Sequence, residues 1–94
     1  MPDTTDHLLT IVVTGEQLAL LKKLDFPCSE GVLASARNTD EGIELSGRWM
    51  DFDRLVGWVA GEANHAHRKR RSRQAELLDD IADQLESALA TYRH

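Results

Sequence analysis

The sequence predicts a small α+β domain of the order β-α-(α)-β-α-α, in which a two-stranded sheet packs on helices. Three patterns indicate this fold. The segment 8–13 is rich in β-branched residues, the segment 43–46 alternates apolar and polar side chains, and two later segments repeat apolar residues every three or four positions. The chain has 94 residues, of which 41% are apolar. This content is enough for one modest core, and we therefore predict a single domain over 1–94.

The first strand and the first helix are marked by local signals. Leu8 to Val13 ends before Gly15 and is typical of a buried strand. Thr14 and Gln17 then form a capping-box pattern that begins a helix. Pro27 prevents its continuation, so we place this helix at about 15–25. Its apolar positions are Leu18, Leu21 and Leu24.

The middle of the chain contains one ambiguous segment and a second strand. Residues 29–38 fit a helix, which Ser29 can cap, but Val32, Ala34 and Ala36 also alternate as in a strand. We favour the helix. Ile43 to Ser46 follows a turn-rich stretch and predicts a strand with one solvated face, paired beside the first.

Two amphipathic helices are predicted in the C-terminal half. Asp51 can cap the first of them, with Met50 and Leu55 at the positions of a hydrophobic staple. Residues 67–74 contain no apolar, glycine or proline residue, so this polar connector either turns or continues as a solvated helix. The prediction is therefore a long amphipathic C-terminal helix or a helical hairpin. Its last apolar stripe comprises Leu78, Ile81, Leu85, Ala88 and Tyr92.

Several classes of protein do not fit the composition. No apolar run approaches the ~20 residues of a membrane-spanning helix, so we expect no membrane partner. Residues 1–6 are polar and acidic, unlike a secretory signal, and we expect a disordered tail there. Cys28 is the only cysteine, which excludes an internal disulfide and agrees with a reducing compartment. We therefore expect a cytoplasmic protein.

The sequence contains no recognisable catalytic apparatus, and we favour a protein that is not an enzyme. Glu62 and His65 have the spacing of a carboxylate-bridged metal site, but such sites repeat the pair on facing helices. Cys28 could be an activated thiol if Ser29 begins a helix, although a free cysteine is more often a packing residue. We predict no catalytic residue, no metal and no cofactor.

The favoured function is a protein–protein interaction or regulatory module, most simply a homodimer. Gly57 and Gly61 stand four apart in a helix, where each is ~1 kcal/mol less favourable than alanine. Close approach of another helix would offset this, and the sequence leaves open whether that helix belongs to this chain or to another. Trp58 is a candidate interface anchor. The apolar stripe also exceeds what a two-stranded sheet can cover, which adds Leu78, Ile81, Leu85 and Tyr92 to the predicted interface.

The alternative function is nucleic-acid binding through a basic cluster. The chain has a net charge of −5, yet five of the six residues at 68–73 are basic. Such a cluster can bind phosphates by releasing counterions. It lacks interleaved aromatic residues, and the acidic remainder of the chain opposes nucleic acid, so the alternative ranks second. Its residues are Arg68, Lys69, Arg70, Arg71 and Arg73.

Overall fold

Three antiparallel strands and four helices form the described part of the chain, residues 8–27 and 29–92 of a computed structural model. The α+β class is confirmed, but the sheet has three strands instead of two. The elements are β1 (Leu8–Val13), α1 (Gly15–Leu24), α2 (Glu30–Ala34), β2 (Arg37–Thr39), β3 (Gly42–Arg48), α3 (Trp49–Arg68) and α4 (Ser72–Tyr92). The strands lie in the order β1-β3-β2 in the sheet.

The two predicted strands pair side by side. β1 and β3 are antiparallel, with Ile11 opposite Leu45. Because successive side chains point to opposite faces, β1 buries its odd-numbered residues. Ile11 and Leu45 lie in the core, whereas Leu8 on the other face is 60% exposed. One face of the sheet therefore carries the helices, as the alternation at 43–46 predicted.

The third strand comes from the ambiguous segment 29–38. Its first half contains the predicted helix, α2. The strand β2 begins at Arg37, near the end of the segment, and pairs with the start of β3. The prediction of a helix over the whole segment is therefore wrong. Ser35 is the C-cap of α2, and its hydroxyl donates a hydrogen bond to the Val32 carbonyl at 2.6 Å. A strand of three residues is too short to show a period of two, so hairpin pairing alone forms it.

The start of α1 confirms the predicted capping box. The Gln17 N–H donates to the Thr14 hydroxyl at 3.1 Å, and the Thr14 N–H donates to the Gln17 side-chain oxygen at 2.8 Å. The Gln17 amide also donates to the Leu77 carbonyl at 3.4 Å. The cap therefore ties α1 to α4 as well as starting the helix.

Helix α3 begins three residues before the predicted start. Trp49 is its first residue, and Asp51 lies inside the first turn instead of at the cap. There the Asp51 carboxylate accepts from the Arg48 N–H at 3.4 Å. An acid at this third helical position still satisfies a free backbone donor and faces the positive helix end. The predicted helix is therefore present, but the assignment of Asp51 as its cap is wrong.

A short turn resolves the uncertainty at 67–74, since α3 ends at Arg68 and α4 begins at Ser72. The Arg71 N–H donates to the Ala66 carbonyl at 2.9 Å, and the Arg70 N–H donates to the His67 carbonyl at 3.1 Å. This pair of bonds is a Schellman motif. Arg70 occupies its left-handed position at φ 58°. The C-terminal half is thus a helical hairpin.

The core lies between the hairpin and one face of the sheet. The two helices of the hairpin pack against each other along their apolar stripes, α4 also packs on β1, and α1 contacts α4. Its largest fully buried side chains include Phe52, Leu55 and Val59 from α3, Leu78, Ile81 and Leu85 from α4, and Leu21 and Leu45.

Candidate interaction surfaces

The predicted interaction residues of α4 are internal. Leu78, Ile81 and Leu85 are each 0% exposed and belong to the core of this chain. The sequence showed that they share a helix face but not that α3 and the sheet cover it. They therefore do not lie on a free surface, which corrects the reasoning that assigned them to an interface. The side chain of Tyr92 lies outside the described residues.

The predicted interaction residues of α3 lie on its outer face, opposite the core. Gly57 and Gly61 are exposed, and a Cβ added at either one would meet nothing within 4 Å. Within the described chain, no neighbouring helix or ring therefore packs on these glycines. Trp58 beside them is 51% exposed, and Met50 near the start of the helix is 59% exposed. The outer face of α3 thus carries small residues, large exposed apolar side chains and the charged side chain of Arg54.

The two tryptophans of the helix have different surroundings. Trp49 is partly buried and packs against the core cluster. Trp58 is one of three large apolar residues that remain exposed among the described residues, together with Leu8 and Met50. An amphipathic ring on an open helix face is a common anchor in protein interfaces. Only Trp58 therefore matches the predicted anchor.

The basic cluster lies on the turn between α3 and α4. All five of its basic residues are exposed. Arg73 donates from Nε to Glu16 Oε2 at 3.2 Å and also contacts the other oxygen of that carboxylate. This pairing raises the pKa of Arg73 and lowers the pKa of Glu16. Within the described chain, the side chains of the other four form no hydrogen bond or ion pair: Arg68, Lys69, Arg70 and Arg71.

Of the residues considered for a metal or thiol site, Glu62 and His65 lie in the described part of the chain. No group of three or more histidine, cysteine and acidic side chains that could hold a metal occurs in residues 8–27 and 29–92. His65 is exposed at the end of α3, and Glu62 is half-buried. Cys28 lies outside the described residues.

Comparisons with known proteins add no assignment. No protein-family model, curated protein or solved structure matches this chain. Among the described residues, every helix is too short or too polar to cross a membrane.

Sequence reasoning missed a further feature, the open edge of β1. That edge depends on the strand order, in which β3 lies in the middle of the sheet. The uncharged composition of 8–13 was visible, but which strand lies at an edge is not encoded in the pattern of one segment.

Proposed function

We propose that this chain is a non-enzymatic interaction module that forms a homodimer through the outer face of α3. The observation that carries the proposal is the open surface at Gly57 and Gly61 beside the exposed Trp58. Each glycine weakens the helix by about 1 kcal/mol relative to alanine. Nothing in the described chain uses the space that these glycines leave, so a second chain is the neighbour that would offset their cost.

The glycines would allow two helix backbones to approach closely. Without a Cβ at either position, a partner helix can lie against the backbone of α3, and the ring of Trp58 can cover the side of the contact. The same surface on both copies gives an isologous dimer with a twofold axis. An axis at the level of Val59 places Gly57 of one copy opposite Gly61 of the other.

The charge distribution favours an antiparallel pairing of the two α3 helices. A parallel pair would bring the two basic turns together, each with four basic side chains that lack an acidic partner. With a rise of about 1.5 Å per residue, an antiparallel pair centred on Val59 separates the two Arg70 positions by about 30 Å. This distance exceeds the Debye length of about 8 Å at physiological salt, so the repulsion is screened.

The test uses the fluorescence of Trp58, which reports whether the outer face of α3 is in contact with water. In a Trp49→Phe variant, Trp58 is the only tryptophan, and its emission should shift to shorter wavelength as protein concentration rises and the ring leaves water. Trp49 is partly buried and packs against the core. Trp49→Phe is a mild change because phenylalanine keeps an aromatic ring at this position. The converse variant, Trp58→Phe, should show no such shift from Trp49. The proposal would be overturned if the emission wavelength of Trp58 stayed the same over the range of protein concentrations used to measure the size of the protein.

A second candidate function, nucleic-acid binding, rests on the basic turn. Four cations at 68–71 face no acidic partner in the described chain, and they project from the end of the hairpin. Binding to a labelled DNA duplex should weaken with salt at a slope of about −3 to −4 for this number of phosphate contacts. The triple variant Arg68→Gln, Arg70→Gln, Arg71→Gln should abolish it.

Arg73→Gln is the matched control for that experiment. It removes one charge from the same cluster, but Glu16 already neutralises this charge. Loss of binding in the triple variant with retention in Arg73→Gln would support the candidate. Absence of binding by the unmodified protein at low salt would eliminate it.

A further inference from the structure

The two edges of the sheet differ in how they end. At the β2 edge, the strand has only three residues, and Arg37 pairs with Glu44 at 2.6 Å across the open face. Beyond β2, the Ser35 hydroxyl accepts from the Ser46 N–H at 2.8 Å. A short strand, surface charges and a side chain that occupies the next backbone donor all disfavour pairing with another chain. The β2 edge is therefore a poor template for a further strand.

The β1 edge carries none of these features. Leu8–Val13 has six residues and contains no charge, proline or glycine. Its backbone pairs with β3 on one side, and within the described chain it makes no other backbone or side-chain hydrogen bond. Among the described residues, the N–H and C=O groups that point away from β3 thus have no partner. Such an edge is a template for a further strand.

An acidic cleft lies beside the C-terminal end of this edge. It has a volume of about 490 Å³ and is formed between the end of β1, the turn before β3 and the outward side of α4. Three of the residues that line it are acidic and none is basic, namely Glu41, Asp80 and Asp83. A group entering the cleft next to β1 therefore meets negative charge and the C-terminal end of a strand that is paired on one side only.

We propose that the β1 edge binds an extended segment of a partner protein in which basic and apolar residues alternate. A strand added to β1 turns every second side chain toward the helix side of the sheet, where Asp80 and Asp83 stand. Its other side chains lie on the open face beside Leu8, which is 60% exposed. Charge complementarity thus favours basic residues at the positions of the added strand that point toward the helix side. The exposed Leu8 favours apolar residues at the positions that lie on the open face.

A second copy of β1 does not satisfy this surface. Leu8–Val13 has no charge to offer to the acidic cleft. The edge is also a different surface from the outer face of α3, so this inference goes beyond the proposed homodimer. Either surface can fail its test without affecting the other.

The experiment measures binding of three labelled hexapeptides to the full chain by fluorescence anisotropy at low salt. The first alternates lysine and valine, the second alternates glutamate and valine, and the third is the lysine peptide with alternate backbone nitrogens methylated. Methylation removes the donors of one peptide edge while retaining the charge. The lysine peptide should bind at least about tenfold more tightly than either of the others.

Two matched protein variants locate the site. Asp83→Lys reverses a charge in the cleft and should weaken binding of the lysine peptide by about five- to tenfold. Glu86→Lys makes the same change in net charge at an exposed position of α4 outside the cleft. It should leave binding within about twofold.

Three results would overturn the proposal. Absence of binding by the lysine peptide at low salt would show that the edge accepts no such strand. Equal binding of the methylated peptide would show attraction by charge alone. Protection of the β1 amides from hydrogen exchange that rises with protein concentration, with no peptide present, would assign the edge to a second copy.

Discussion

The glycines of the sheet and the glycines of α3 occupy opposite environments. A Cβ at Gly47 would lie 2.8 Å from both Phe52 and Val32, and a Cβ at Gly42 would lie 3.0 Å from the Val13 carbonyl oxygen. At Gly57 and Gly61 the same atom would meet nothing within 4 Å. The packing of the chain explains the first pair of glycines. It does not explain the second pair, which is the reason to look for a neighbour outside the chain.

The largest effect is expected at Gly47. Gly47→Ala forces the ring of Phe52 or the side chain of Val32 to move inside a closed core, and such overpacking costs about 1 to 3 kcal/mol. We expect a loss of about 2 to 3 kcal/mol in the free energy of unfolding, measured by urea denaturation. An unchanged midpoint would mean that the core at this position is looser than the structure describes.

At Gly42 the backbone conformation adds to the close contact of a Cβ as a cause of destabilisation. Its φ of 144° is a conformation that residues with a side chain rarely adopt. Gly42→Ala should therefore lower the free energy of unfolding by about 1 to 2 kcal/mol. Gly42→Asn tests the cause, since asparagine tolerates positive φ only near the left-handed helical region and should not restore stability.

The open glycines should respond with the opposite sign. Gly57→Ala and Gly61→Ala should each raise the free energy of unfolding of the monomer by about 1 kcal/mol, measured in dilute protein. Gly31→Ala in α2 is the control, because Gly31 is also a helical glycine with nothing within 4 Å. Destabilisation by either α3 substitution in dilute protein would indicate a neighbour within the chain.

Arg70 presents the reverse case, a residue with a side chain where glycine is usual. It holds φ 58° at the end of α3. Arg70→Gly should stabilise the hairpin by about 0.5 to 1 kcal/mol by relieving the left-handed conformation. Thermal denaturation measures this change, and Arg70→Ala should give no gain. A gain with alanine would indicate relief of charge repulsion in the basic turn instead.

The smallest effect concerns the ion pair between α1 and α4. The hydrogen bond from Arg73 lowers the pKa of Glu16 below its ordinary value, so the folded state binds a proton less readily than the unfolded state. The stabilisation is present above the ordinary carboxyl pKa and is lost as the pH falls through the lowered value. Glu16→Gln should therefore lower stability slightly at neutral pH and not in acid. A difference that persists in acid would contradict this cause.

The parts of the fold that depend on neighbouring residues in sequence could be predicted. The Thr14 and Gln17 cap, the strand at 8–13 and the helical stripes all follow from local spacing and were confirmed. The third strand could not be predicted, because Arg37–Thr39 is shorter than any periodic pattern and exists through its pairing with β3.

The candidate surfaces were only partly predictable for a similar reason. Periodicity shows which residues share a helix face, so Leu78, Ile81 and Leu85 were grouped correctly. It does not show what that face packs against, and here α3 and the sheet cover it. Gly57, Trp58 and Gly61 could be singled out because glycine is unfavourable in a helix whatever its surroundings.

The most direct test of the homodimer through α3 is sedimentation equilibrium of the unmodified chain beside the double variant Gly57→Ala, Gly61→Ala. If α3 pairs with α3 of a second copy, the unmodified chain will have the mass of a dimer, and the double variant will be a more stable monomer. At about 100 μM, even a dimer with a micromolar dissociation constant is populated. A monomeric mass for the unmodified chain at this concentration would therefore contradict the homodimer. A double variant that remains a dimer would contradict it equally, since the two added methyl groups stand where the helices must meet.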